Sequence, residues 1–407
     1  MHPSMEMKLP KITRPIQAEF ELPLSKSMAN RGLLLAALYP EITLTGISTA
    51  KDSVFLRQTL DAYAHGEVHV GAGGTTLRFA TAYWATREGS SITLNGTPEL
   101  NQRAIALLVD ALNALGGAIT YANTPNQAPL HIQGTKLRGG SLHLGHVKSS
   151  QFVTALMLIA PTMRDGLQLE WDSVVSQPYL VMTAALLRSA GIPVTLTKHG
   201  ATIPYVESVD PVQLVIERDW SAVAFWCEAL ALSEGGELTF PGFIDPSNQG
   251  DSKVVHYFEP LGIAHRFTDQ GLVLSKKSVL TPGHLHYNLQ GEPDLAQPLI
   301  MTLLLKKIPF EVHGLETLRG KECDRITAIA EVAAALGIQL STGEAHIKCT
   351  SYPAEFTPPT APLDTRNDHR VAMSLAPLAI VFPITILQPS VVEKSYPDFW
   401  RHWTQLI

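Results

Sequence analysis

The stretch LPLSKSMANRGLLLAAL, Leu22 to Leu38, sets Lys26 and Arg31 among Ser25, Ser27 and Asn30 at the head of an apolar run. Serine is a helix-capping residue, and the run behind it reads as a helix buried on all sides. The amino end of a helix is already positive, through its macrodipole and its unsatisfied N–H groups. Added cations are unfavourable there unless something anionic neutralises them. The stretch therefore predicts a buried helix whose N-terminus belongs to an anion site.

Five further stretches repeat the pattern: GGTTLRFATAYWA from Gly73, SSQFVTALMLIA from Ser149, RDWSAVAFWCEALAL from Arg218, EPDLAQPLIMTLLL from Glu292 and NDHRVAMSLAPLAI from Asn367. The markers Lys26, Gly74, Ser150, Asp219, Asp294 and Asp368 are spaced by 48, 76, 69, 75 and 74 residues, an internal repeat with a shortened first unit. Cations stand beside four of the six caps, Lys26 with Arg31, Arg78, Arg218 and Arg370. A purely structural cap favours Asp or Glu alone.

Between these helices, GSLHLG, LQLEW, VQLVIE, GELTFPG, HLHYNL and FEVHGLE alternate as strands do. NQRAIALLVDALNALGG and ECDRITAIAEVAAALGI read as half-exposed helices that end at glycine. A chain of 407 residues exceeds what one core serves, so the six units divide into two domains of three. The expected fold is α/β, with three sheets around three core helices in each domain. If the helix N-termini converge, both domains present positive poles to a common anion site.

Composition limits the partners. With 45% hydrophobic and 17% charged residues and a net charge of −6, the chain has no general attraction to nucleic acid or membranes. Cys227, Cys323 and Cys349 lack metal spacing and read as reduced thiols of a cytosolic protein. The opening MHPSMEMKLPKI has no apolar signal region, and the run Val371 to Leu387 is broken by Ser374, Pro377 and Pro383. A cytoplasmic location is expected. His284 and His286 could ligate a metal from one strand face, yet no third ligand cluster accompanies them, and they are read as edge-strand histidines.

LPLSKSMANRGLLLAAL, GGTTLR, SSQF, VSQPY, GKECDR and NDHR occur in this order, and the series, running from Lys26 to Lys394, resembles the motif series of the 5-enolpyruvylshikimate-3-phosphate synthase family, the 3-phosphoshikimate 1-carboxyvinyltransferases. The resemblance implies a two-domain inside-out α/β barrel, each domain built of three βαβαββ units. It places one domain at residues 14–216 and the other at residues 1–13 with 217–407, with hinges at two crossovers near Leu24 and Glu217 and domain closure over the substrates. The implied activity moves the enolpyruvyl group of phosphoenolpyruvate to the 5-hydroxyl of shikimate-3-phosphate and releases phosphate, on the way to chorismate and the aromatic amino acids. It implies no metal and no organic cofactor, small-molecule partners only, and a chain that works as a monomer.

The residues follow from the same resemblance. Ser149, Ser150 and Ser176, with Lys321, would hold the shikimate phosphate, while Ser27, Arg31, Gln151 and Tyr179 orient its ring and carboxylate. Lys26, Arg103, Arg325, Arg370 and Lys394, with the backbone at Gly74, would hold phosphoenolpyruvate. Arginine's planar fork suits a carboxylate or phosphate. Asp294 would take the hydroxyl proton and also face shikimate-3-phosphate, as would Lys26; Glu322 and Lys26 would protonate the methylene carbon. Lys321 and Arg325, four apart in KECDR, are expected on one helical face.

Some positions depart from the family pattern. Leu24 and Ala72 stand where glycine and asparagine are usual, Gly73 replaces an alanine, and Cys323 replaces Thr or Ser. The short first spacing implies a missing strand pair between LRQTLDAYA and EVHVGAGGTT. Two alternatives stay open at this point. One is the sister enzyme acting on UDP-N-acetylglucosamine, whose pattern carries a first-domain cysteine that this chain lacks before Cys227. The other is an inactive phosphoanion-binding paralogue.

Overall fold

Strand, apolar helix, strand, second helix and hairpin follow one another repeatedly in the computed structural model, which describes residues 6–277 and 283–407. Six apolar helices, one per repeat, form the core: α1 (Lys26–Leu38), α2 (Gly74–Ala85), α3 (Ser150–Ile159), α4 (Trp220–Leu232), α5 (Ala296–Leu305) and α6 (His369–Leu375). Their sequences have no polar face to offer water, and every residue of α5 and α6 is accordingly buried.

The chain divides into two compact units, one continuous (Leu24–Ile216) and one split (the chain up to Pro23 together with Glu217–Ile407). The expected boundary at residue 14 moves to Pro23/Leu24. The reason is strand Ile16–Glu19, which pairs in parallel with Gly236–Pro241 and so belongs to the split unit. The two passages through this unit are stitched together by Asp219 N–H to Pro23 O at 2.9 Å and Arg218 Nη1 to Leu22 O at 2.8 Å. The Glu217 carboxylate receives Asn248 N–H at 3.1 Å and Gln249 Nε2 at 3.0 Å, fixing the start of the second passage.

Four sheets share one design. In the continuous unit, His65–His69 pairs in parallel with Ser91–Asn95, which pairs antiparallel with Leu130–Gln133, itself in a hairpin with Ala118–Tyr121. Gly140–His143, Leu167–Glu170, Gly200–Ile203 and Thr195–Leu196 repeat that order. In the split unit it recurs in Ile16–Glu19, Gly236–Pro241, Gly271–Lys276 and Ile263–Thr268, and in Leu285–Asn288, Phe310–His313, Ile347–Cys349 and Ser341–Thr342. A parallel pair needs a long crossover, and in each sheet a core helix lies on it.

The remaining repeats have two-stranded sheets, Ile42–Thr45 with Val212–Val215 and Glu6–Leu9 with Ile384–Leu387. The first of these accounts for the short opening spacing. Among the described residues each sheet keeps its own set of hydrogen-bonded strands, in the α/β architecture expected from the sequence.

Packing explains the cost of disturbing this frame. In the split unit Trp226 of α4 lies 4.7 Å from Phe20, 5.6 Å from Phe399 and 6.0 Å from Trp403, ring centre to ring centre. Aromatic clusters of this kind bury large areas of apolar surface. Two predicted helices start later than their sequences suggested, at Ala106 and at Arg325, where Asp324 accepts Thr327 N–H as the cap. Lys321 therefore lies outside the helix that begins at Arg325. Among the described residues no helix is long and apolar enough to cross a membrane, and the three cysteines are free thiols. Residues 1–5 of the opening stretch read for a signal lie outside the described residues.

Gly236 gives a direct test of the split unit's assembly. Its φ is +125°, and a Cβ there would sit 1.8 Å from Ile16 O, the backbone it pairs with. Gly236→Ala should lower the urea midpoint by an amount equivalent to roughly 1–3 kcal/mol. Gly235→Ala, which enters open space, should stay within about 0.5 kcal/mol of the parent.

Candidate active site

In the continuous unit, side chains tie the first turns of α1, α2 and α3 together. Lys26, first residue of α1, places Nζ 2.9 Å from Asp52 Oδ2. Asp52 in turn lies against the start of α2: a Cβ built on Gly73 would be 2.8 Å from Asp52 Oδ1, and Thr76 Oγ1 donates to Asp52 O at 3.0 Å. Arg78 in α2 donates Nη1 to Gln151 Oε1 in α3 at 2.7 Å, with its guanidinium over Phe152. Arg31 in α1 donates to Ser27 O at 2.7 Å, to Thr183 Oγ1 at 2.8 Å and to Thr154 Oγ1 in α3 at 3.4 Å. These contacts tie the starts of three core helices of this unit to one another.

Gly74 explains why the GGT stretch has no side chain at that point. A Cβ there would lie 2.6 Å from Arg78 Nη1 and 2.8 Å from Arg103 Nη1, so both guanidinium groups come close to the backbone of α2 where it carries no side chain. Arg103, weak as a sequence signal, is brought directly over Gly74. Burial lowers the Arg31 pKa to about 10, which leaves it a cation at neutral pH.

The serines meet by strand pairing. His146–Val147 and Ser173–Val174 are adjacent parallel strands, so the Ser149–Ser150 and Ser176 segments emerge side by side. Ser149 holds the N-cap position of α3 without spending its hydroxyl on a capping bond. Ser176 is buried and adopts φ +58°, a left-handed backbone uncommon for serine. Such strain is tolerated where the surroundings fix it, often at a ligand clamp. Tyr179 follows within hydrogen-bonding reach, its N–H donating to Ser176 O at 3.1 Å, and Arg31 lies 5.8 Å from its ring centre.

The split unit carries the carboxylates. Asp294 sits in the turn Pro293–Leu295 ahead of α5, and its role there is not to cap. Its oxygens lie 3.0 Å from Arg370 Nη2, 3.2 Å from Arg325 Nη1 and 3.3 Å from Lys321 Nζ. Arg370 Nη1 also donates to Asp294 O at 3.0 Å, which ties α6 to the head of α5. Arg325 is almost fully buried and grips Asp368 through Nε at 2.8 Å and Nη2 at 3.1 Å, while Nη2 also reaches Glu322 Oε2 at 3.0 Å. Lys394 Nζ holds the other Glu322 oxygen at 2.8 Å. Lys321 and Arg325, expected on one helical face, converge on Asp294 instead from a turn and a helix start.

Charges decide the protonation states. Burial opposes ionisation of Asp294, but Arg370, Lys321 and Arg325 outweigh it and hold its pKa well below the usual carboxylate range. Burial, with Asp294 as the next cause, pushes neighbouring Asp251 up to about 7. Asp251 is anchored by Ser221 Oγ at the head of α4, so all three core helices of this unit lead to one charged group. Cys323 donates weakly to Asp368 at 3.6 Å, and burial raises its pKa to about 12, so this thiol is no nucleophile.

Sequence reasoning missed Asp52 and the anchoring role of Asp368. Asp52 shows no pattern in TAKDSV, since its partner Lys26 stands 26 residues earlier. Asp368 was visible as the marker of NDHR, and as cap it also accepts Arg370 N–H at 2.9 Å. One expected cap cation does not join the site, for Arg218 is committed to Glu21.

Comparisons with known proteins bear on the family and the fold. The family model for EPSP synthase (3-phosphoshikimate 1-carboxyvinyltransferase) matches residues 42–403. The 3-phosphoshikimate 1-carboxyvinyltransferase of Bacteroides fragilis strain YCH46 is 35% identical over 391 residues, covering 95% of this chain and 94% of that protein. The enzyme of the same name from Vibrio cholerae serotype O1 strain M66-2 is 31% identical over 427 residues, covering 96% and 97%. The solved EPSP synthase of Acinetobacter baumannii matches with a TM-score of 0.74 at 18% identity over 98% of both chains. The enolpyruvyl transferase NikO of Streptomyces tendae gives 0.72 at 14% identity over 99% of this chain and 98% of its own. The two structural matches speak for the fold, and the sequence matches for more: with nearly its whole length aligned, the chain belongs to the EPSP synthase family.

Proposed function

We infer that this chain transfers the enolpyruvyl group of phosphoenolpyruvate to the 5-hydroxyl of shikimate-3-phosphate and releases inorganic phosphate. The observation that carries the reading, beside family membership, is the pair Asp294 and Glu322 inside a cage of Lys321, Arg325, Arg370 and Lys394. A protein that only bound phosphoanions would gain from the cations and lose from the carboxylates.

The proposed roles follow from charge. Phosphate and carboxylate oxygens would take over the hydrogen bonds that Asp52, Asp294 and Glu322 now supply to Lys26, Arg370 and Lys394. Each charge-assisted bond contributes about 1.5–3 kcal/mol. As anions claim its cations, Asp294 loses the charges that depress its pKa, and it becomes able to accept the proton of the attacking hydroxyl. The hydroxyl oxygen bonds to C2 of the enolpyruvate while Glu322 or Lys26 delivers a proton to the methylene carbon. The group that gave the proton, now a base, takes a proton back from the methyl group of the ketal phosphate, the double bond re-forms, and phosphate leaves with the C–O bonding pair. Cations around the phosphate stabilise the charge that develops on it. Ser149, Ser150, Ser176 and Lys321 would hold the shikimate phosphate, Ser27, Arg31, Gln151 and Tyr179 its ring side, and Gly74, Arg103 and Arg325 would assist the enolpyruvate anion.

These groups are divided between two units of one chain, which the chain passes between near Leu24 and Glu217. A single chain supplies every group the reaction needs, and a monomer suffices. The chain has no cysteine before Cys227, which disfavours the UDP-N-acetylglucosamine reading.

Phosphate release measured with shikimate-3-phosphate and phosphoenolpyruvate tests the function: release that depends on both substrates supports it, and none overturns it. Glu322→Gln should cut kcat by roughly 100- to 10,000-fold with shikimate-3-phosphate affinity, read by calorimetry, nearly unchanged; a fully active variant would remove Glu322 from the mechanism. Arg103→Ala should raise the KM for phosphoenolpyruvate by roughly 10- to 100-fold, and an unchanged KM would return Arg103 to a structural role.

A further inference from the structure

One sheet of the split unit collects, on its outward face, histidines for which the transfer chemistry has no use. Leu285–Asn288 is an edge strand paired in parallel with Phe310–His313, so that His286 lies opposite Glu311. Phe310 and Val312 are buried, and strand alternation sends Glu311 and His313 to the opposite face with His286. His284, two residues before His286, shares that face, and the two imidazoles stack with centres 4.5 Å apart at 28°. One ligand atom from each of His284, His286 and Glu311 lies within 4.8 Å of the other two. The sequence offered the two histidines without a third ligand; the parallel register supplies it.

We propose that His284, His286 and Glu311 form a binding site for a divalent transition cation of the Zn²⁺ class, stapling the edge strand to its neighbour. Two imidazoles and a carboxylate are a donor set that such ions prefer, and three protein ligands leave the fourth position to water. In a tetrahedral site with bonds near 2 Å, neighbouring ligand atoms stand about 3.4 Å apart. The two histidines are exposed, so their side chains can rotate to close the remaining distance. Glu311 is oriented from behind by His313 Nε2 at 3.0 Å and Lys348 Nζ at 3.5 Å. A partner of this kind positions a ligating carboxylate, whereas the Lys348 charge weakens affinity for the cation.

Calorimetric titration of the chelator-stripped full chain with ZnCl₂ tests the site. The wild-type chain should show a saturable site. His286→Asn should weaken it by at least ~10-fold, as should Glu311→Gln, and His284→Asn with His286→Asn together should abolish it. Far-UV circular dichroism and turnover should remain those of the wild type in all three, because these side chains lie on the sheet's outward face and none serves the reaction. A second exposed group, His143 and His146 around Asp172, provides the control, since His143→Asn with His146→Asn should leave the site intact. Absence of saturable Zn²⁺ binding to the wild type overturns the proposal. So does binding that survives the His284/His286 double substitution and vanishes in the His143/His146 one.

Discussion

Cations crowded at the positive ends of buried helices repel one another and the helix ends alike, and the structure is organised by what relieves that repulsion. Each unit answers with buried and half-buried carboxylates. Asp52 neutralises Lys26 at the heads of α1 and α2, and Asp294, Glu322 and Asp368 neutralise Lys321, Arg325, Arg370 and Lys394 around α5 and α6. Removing one member of such a network takes compensation away from the charges that remain, which is destabilising where they are buried. The networks hold the cations in position, and under the proposed function anionic substrates would exchange with the carboxylates.

The exchange connects folding to catalysis. A carboxylate that stabilises the resting protein by pairing with arginine is a poor base while it does so. Asp294 is in that state, with three cations holding its pKa well down. Substrate anions that draw those cations away would raise its basicity only when there is a hydroxyl to deprotonate. The division of labour between the units has the same logic. Serines at helix starts and adjacent strand ends suit a phosphate and lie on the continuous unit, and Asp294 and Glu322, the carboxylates proposed for proton transfer, lie on the split one. Neither unit alone carries the full set.

Much of this was legible in the chain itself. The six core helices could be read because burial leaves them mostly apolar with no polar face, and the repeat spacing followed because each crossover must be of similar length. Interactions that span distant sequence were not legible. Lys26 finds Asp52 only because α1 packs beside the helix Lys51–Leu60 that carries it, Arg218 is drawn off to Glu21 across 197 residues, and Glu311 meets His286 only through the parallel register. The helix starting at Arg325 was placed too early because the apolar period of KECDRITAIAEV hides its cap; Asp324, three residues ahead of Thr327, carried the signal. The domain boundary slipped by ten residues because strand Ile16–Glu19 takes its partner from the far side of the continuous unit.

A crystal structure with shikimate-3-phosphate and an unreactive enolpyruvate analogue examines this exchange directly. Lys26 Nζ should have left Asp52, and the Arg370 guanidinium should have left the Asp294 carboxylate, each now donating to an oxygen of a bound anion at the head of a core helix. If both ion pairs persist with anions bound elsewhere, the gathered helix ends are scaffolding and the account is wrong.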